Sequence, residues 1–126
     1  DQRHGHPLDD LSACLAAKDI ESIRVAAANI RIADELKRYI VDIVTATRSA
    51  PGIAMGASPR AGIMLMKCSQ ALALIEGQQF VTPDQIQELA IPVIAHRLIL
   101  EPGVEYNGTQ ATKIVTEIIK SLPVPS

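Results

Sequence analysis

The chain has 126 residues, a net charge of −2, a hydrophobic fraction of 48% and three aromatics, Tyr39, Phe80 and Tyr106. That length supports one domain with a real core, and apolar content carried mainly by 17 Ala, 16 Ile and 11 Leu excludes a disordered chain. No uninterrupted apolar run approaches a membrane span, and so few aromatics argue against a base-stacking nucleic-acid module.

The charge is unevenly spread. Residues 1–21 carry −3, residues 22–70 carry +4 and residues 71–126 carry −3. The middle third is where an anionic partner would be met, and +4 suits one small anion better than a nucleic-acid duplex. Partnership with membrane or nucleic acid is therefore not expected. Cys14 and Cys68 read as reduced core residues of a cytoplasmic protein. The chain opens on Asp1 with no initiator Met and no signal-like segment, which reads as a piece of a longer protein.

In chain order, Asp1 to Pro7 reads as a flexible lead-in and residues 8–126 as one helical domain. Asp9 or Asp10 is expected to cap a short helix running to about Ala17. Asp19 is the expected N-cap of a second helix, with Ile20, Ile23 and Ala27 on one face. Asn29 to Ala33 alternates apolar and polar residues, predicting a short extended linker. Asp34 should cap the first long helix, whose stripe is Leu36, Tyr39 or Ile40, Ile43 and Thr47. Ala50-Pro51-Gly52 stops it, and a loop with apolar Ile53, Ala54 and Met55 follows. With the helix start beyond it, this loop is a candidate docking face unless Ile53 and Met55 plug the bundle.

Ser58-Pro59 is a strong helix start, a capping serine before a proline at the first helical position. The helix to Glu76 is apolar nearly all round and belongs at the centre of a bundle, with Gly77 closing it. Thr82-Pro83 repeats the start signal, and Pro92 is expected to kink or divide the helix that follows. After a loop from Glu101 to Gly108, Thr109 should open a last helix with Ile114, Ile118 and Ile119 inside. Leu122 to Pro125 is an extended tail. The fold class is all-α, a small bundle of five or six helices.

No phosphate loop ending in Lys-Ser/Thr, His-Glu-x-x-His or Cys-x-x-Cys occurs. His4 and His6 fall in the lead-in and read as solvated, and no metal site is expected. Asn107-Gly108-Thr109 matches a glycosylation sequon but reads as a turn. The arginines are more informative. Arg48 and Arg97, the latter beside His96, lie near helix C-termini, where the macrodipole favours a cation by roughly 0.3–1 kcal/mol. Arg60 is the second residue of its helix, where the dipole disfavours it and free N–H groups attract anions. Two readings stand for Arg60: a surface cation paired with an acidic neighbour, or a ligand for a phosphate or carboxylate.

Four blocks, Tyr39-Ile40-Val41-Asp42-Ile43-Val44-Thr45-Ala46-Thr47-Arg48, Gly56-Ala57-Ser58-Pro59-Arg60-Ala61, Gly77 with Val81-Thr82-Pro83-Asp84, and His96-Arg97-Leu98, follow in order and register. Together they resemble the C-terminal lid of MoxR-type AAA+ ATPases. One departure is Gly77-Gln78, where the family usually has Gly-Arg.

The resemblance implies a helical lid packed on an AAA+ core that binds ATP and Mg. It implies that Arg60 is the sensor 2 arginine, with Ser58 and Pro59 supporting its helix start and Arg48, His96 and Arg97 as weaker candidates. Arg60 would contact the γ-phosphate and report its loss as a shift of lid against core, either in its own subunit or in a neighbour of a ring, expected to be a hexamer. The family is associated with chaperone-like remodelling or assembly of client proteins, often with von Willebrand A-domain partners. The lid alone is expected to be inactive. The competing reading is a stand-alone helical module that binds protein or nucleic acid, in which Ser58-Pro59-Arg60 is merely a cap.

Overall fold

The computed structural model describes residues 7–104 and 110–125. A 3₁₀ turn at Pro7–Asp10 leads to α1 (Ala17–Ala28), α2 (Asp34–Ser49), β1 (Ile53–Met55), α3 (Pro59–Ile75) and α4 (Pro83–Ile94). A second 3₁₀ turn (Ala95–Arg97), β2 (Ile99–Leu100) and α5 (Ala111–Ser121) follow. The all-α class holds, with one small addition. β1 and β2 pair antiparallel, Ile53 opposite Leu100 and Met55 opposite Ile99, with an irregularity between them.

α3 lies at the centre, against α1, α2 and α4, and α5 packs on α2 and α4. The α2 stripe is buried as its spacing predicts: Leu36, Tyr39, Ile40, Ile43, Val44 and Thr47 all face the core. They meet Leu65 of α3, Ile86 and Ile94 of α4 and Val115 of α5, each fully buried. The Tyr39 hydroxyl accepts a hydrogen bond from Gln87 Nε2 at 3.1 Å, so its burial leaves no polar atom stranded.

Polar side chains close the turns between helices. Gln70, buried on α3, donates through Nε2 to the Ile30 carbonyl (2.7 Å) and the Ala28 carbonyl (3.4 Å), completing the end of α1. Of the predicted extended linker, Asn29 and Ile30 still belong to the turn that ends α1, and the extended part begins at Arg31. Arg31 N–H donates to Gln79 O and Arg31 O accepts from Val81 N–H, tying it to the α3–α4 connection. Gly77 there adopts φ 72°, a left-handed conformation that side-chain-bearing residues resist.

Several expectations are corrected. The helix from Asp9 or Asp10 to about Ala17 does not form, since residues 11–16 carry no helix. Leu11 and Leu15 are exposed, so no packing repays the cost of nucleating a single short turn. Asp19 lies inside α1, where its carboxylate accepts the Ala16 N–H at 2.8 Å. Asp34 is the first residue of α2, the cap position being Ala33. Cys14 is exposed and Cys68 half-buried; both are free thiols. Of the two expectations for Pro92, a kink or a division, division does not occur: α4 runs through it and then tightens into the 3₁₀ turn. The residue in the capping position of α5 is Gln110; Thr109, the sequon, His4 and His6 lie outside the described residues.

Candidate functional site: the start of α3

Ser58 occupies the capping position of α3, although its hydroxyl makes no capping bond. Its carbonyl accepts the Ala61 N–H at 2.9 Å, and Pro59 at the first turn supplies the fixed φ that starts the helix. Arg60 follows, exposed. The ion pairs among the described residues join Arg24 to Glu21, Lys37 to Asp34 and Lys120 to Glu117, and Arg60 makes neither an ion pair nor a hydrogen bond among them. Of its two readings, the paired surface cation therefore finds no partner there.

The backbone just before this helix start is held firmly. Ala57 is buried, and its N–H donates to Thr47 Oγ1 at 2.9 Å. The Thr47 hydroxyl donates in turn to Val44 O at 2.6 Å. The Ala57 carbonyl accepts from Arg48 Nε at 3.2 Å. Gly56 lies so close on the last turn of α2 that an added Cβ would sit 2.7 Å from Arg48 Cα and 2.8 Å from Arg48 N. A glycine is required there by space, whatever its dihedral angles. Arg48, expected to serve its own helix end, instead reaches forward to the loop.

His96 and Arg97 are placed differently. His96 Nδ1 lies 3.1 Å from Pro92 O, and Arg97 Nε donates to Val93 O at 3.0 Å. Both groups are engaged with the last carbonyls of α4, as the dipole argument predicts. Gln78, at the position of the departure from Gly-Arg, accepts from Gln85 Nε2 at 3.0 Å. A guanidinium, which has no acceptor, could not replace it in that bond.

Beside the α3 start runs an open, apolar groove of about 440 Å³ between α2 and α3. Ile40, Val41, Val44, Pro59, Ile63 and Met66 line it, with Lys37 and Arg48 among the lining cations. Val41 and Ile63 are 59% and 51% exposed. The Ala50–Ala57 loop divides as a docking candidate, since Ile53 plugs the core and Met55 stays outside at 61% exposure. The sequence assigns Thr47 and Gly56 no role beyond the core stripe and the resembling blocks, and it does not show the groove. A glycine directly before Ala-Ser-Pro-Arg was the one available signal for the close approach. No group of His, Cys, Asp or Glu among the described residues could hold a metal ion.

The AAA lid domain family matches residues 45–118, from the end of α2 into α5. The uncharacterized protein YeaC of Bacillus subtilis is 40% identical over 124 residues, covering 98% of this chain and 39% of the relative. Chaperone MoxR1 of Mycobacterium tuberculosis is 27% identical over 120 residues, covering 88% of the chain and 32% of the relative. A crystal structure of a proposed ATPase from Cytophaga hutchinsonii superimposes with a TM-score of 0.82 at 28% identity, over 86% of this chain and 36% of that one. The chain thus spans a third to two fifths of these relatives. With its central α3, its Gly-Ala-Ser-Pro-Arg helix start and this match through four helices, the chain belongs to the AAA lid domain family and is a lid of the MoxR type.

Proposed function

We propose that this lid closes over ATP and Mg held by an AAA+ core and that Arg60 is the residue that senses the γ-phosphate. The observation that carries the reading is Arg60 itself: exposed, without a partner among the described residues, and set at the positive end of a long helix. That end presents the Arg60 N–H and its guanidinium together at the positive pole of the helix, a combination that stabilises a phosphate and is mildly destabilising without one. The neighbouring apolar groove offers the lid a surface to bury when it closes. Loss of the γ-phosphate would release Arg60 and let lid and core shift.

In the same reading the full-length protein is an ATPase that forms a ring, expected to be a hexamer. It couples hydrolysis to chaperone-like remodelling or assembly of clients in the cytoplasm, with von Willebrand A-domain proteins as candidate partners. The name of the Mycobacterium tuberculosis relative as a chaperone supports this. The free thiols of Cys14 and Cys68 suit a reducing compartment. No helix among the described residues is long and apolar enough to cross a membrane. The lid alone turns over no ATP.

The test is Arg60→Ala in the full-length protein. Loss of a charge-assisted contact to the transferring phosphoryl group should cut turnover at least about tenfold, or roughly 1.4 kcal/mol of barrier. Arg60→Lys should restore part of it, because a point charge does not reproduce the planar fork. Wild-type turnover in Arg60→Ala would remove Arg60 from the mechanism.

A further inference from the structure

From the contacts around Ala57 we infer that Arg48 and Thr47 are positioning residues for Arg60, acting through the backbone of Ala57 and not through the nucleotide. The inference rests on the assignment of Arg60 above. Both backbone groups of Ala57 are held by adjacent residues of α2, the N–H by Thr47 Oγ1 and the carbonyl by Arg48 Nε. A peptide whose donor and acceptor are both fixed has little freedom to rock. No Cβ would fit between Gly56 and the Arg48 backbone, so the loop has little room to move towards α2. Between Ala57 and Arg60 stand only Ser58 and Pro59, and proline fixes its own φ. The path from α2 to the Arg60 Cα is therefore stiff.

Thr47 is fully buried and its hydroxyl is used twice, as donor to Val44 O and as acceptor from Ala57. Arg48 is exposed, which leaves a choice between two roles for its guanidinium: holding the Ala57 carbonyl through Nε, or adding charge at a bound phosphate. The chemistry of the side chains separates them. In glutamine the amide nitrogen stands after the same three carbons as Nε of arginine, so Arg48→Gln keeps a donor at that place and loses the charge. In lysine a methylene stands there and the charge lies one atom further out. Methionine of similar length supplies neither donor nor charge.

The experiment measures kcat and KM for ATP in full-length Arg48→Gln, Arg48→Lys and Arg48→Met, each also combined with Arg60→Ala, with thermal melting as a control. Positioning predicts that Arg48→Gln loses least, while Arg48→Lys and Arg48→Met each lose about three- to tenfold in kcat with KM less affected, the scale of one hydrogen bond. Thr47→Val should fall on the same side, because it removes the other half of the grip. In the Arg60→Ala background the Arg48 differences should vanish, since the residue acts only through Arg60.

A turnover in Arg48→Lys equal to or above that of Arg48→Gln would overturn the inference in favour of direct charge. So would Arg48→Met with wild-type kcat, or losses that persist beside Arg60→Ala. If Arg60→Ala by itself keeps wild-type turnover, the sensor assignment falls and this inference falls with it. If Arg60→Ala loses tenfold while the Arg48 series is flat, only the positioning role is lost.

Discussion

Two helix ends in this lid carry arginines and are completed in opposite ways. At the end of α4, Arg97 Nε donates to Val93 O and the His96 ring lies against Pro92 O, so a cation answers a carbonyl near the helix end. At the start of α3, Arg60 adds a cation beside N–H groups that would prefer an anion, and among the described residues nothing answers it. The first end is finished within the domain, and the second, among the described residues, is not. Residue type and exposure are the same in both; the difference is the sign of the helix end.

Stability measurements should break the comparison most visibly at Gly56. Gly56→Ala puts a Cβ within 2.8 Å of Arg48 backbone atoms, which have no rotamer to give way. Forced overpacking of this kind costs about 1–3 kcal/mol, so thermal melting should show the largest fall of the variants considered. Unchanged melting would mean that the α3 start is not seated on α2.

Arg97→Met should come next, losing about 0.3–1 kcal/mol as the α4 carbonyls lose their cation, with part of the loss disappearing at high salt. Its turnover should change far less than that of Arg60→Ala. Arg60→Ala should leave melting within about 0.5 kcal/mol of wild type, because alanine is the better helix former and the dipole mildly favours removing the charge. An Arg60→Ala lid that melts like Gly56→Ala, or an Arg97→Met protein that stops hydrolysing ATP while still folded, would reverse the roles of the two ends.

The smallest effect belongs to the start of α2, where the helix end carries the acid it prefers. The hydrogen bond from Lys37 Nζ, 2.8 Å from Asp34 Oδ1, lowers the Asp34 pKa below the ordinary aspartate value, helped by the charges of Lys37 and Arg38. A depressed folded pKa stabilises the fold above the unfolded pKa, and the contribution is lost as pH falls through the lower folded value. Lys37→Met should move the Asp34 titration, followed by NMR, back upward, with little change in melting at neutral pH because the pair is exposed. An unmoved titration would show that the pair does not form in solution.

Much of this architecture was legible without coordinates. Pro59 and Pro83 mark two helix starts, Gly77 marks a helix end, and the 3.6-residue spacing of Leu36, Tyr39, Ile43 and Thr47 marks the buried face of α2. The misfit of Arg60 with its helix end was legible too, since it depends only on which residue follows Ser-Pro. The errors have a common source. Leu11 and Leu15 have helical spacing but no surface to cover them, and Ile20 and Ile23 of α1, a helix with no buried residue, are left exposed. Periodicity describes a face without supplying its partner.

What the sequence by itself determined is therefore local: where helices begin and end, which stripe of α2 turns inward, and that a cation occupies the wrong end of α3. Capping, backbone φ and the helix dipole act within a turn or two, so neighbouring residues suffice to set them. The tertiary structure decided the pairing of Ile53 with Leu100, the closing of α1 by Gln70 and the grip of Thr47 and Arg48 on Ala57. These contacts join residues separated by one or more elements. Each satisfies a backbone group whose partner is settled only when the elements on either side have packed together.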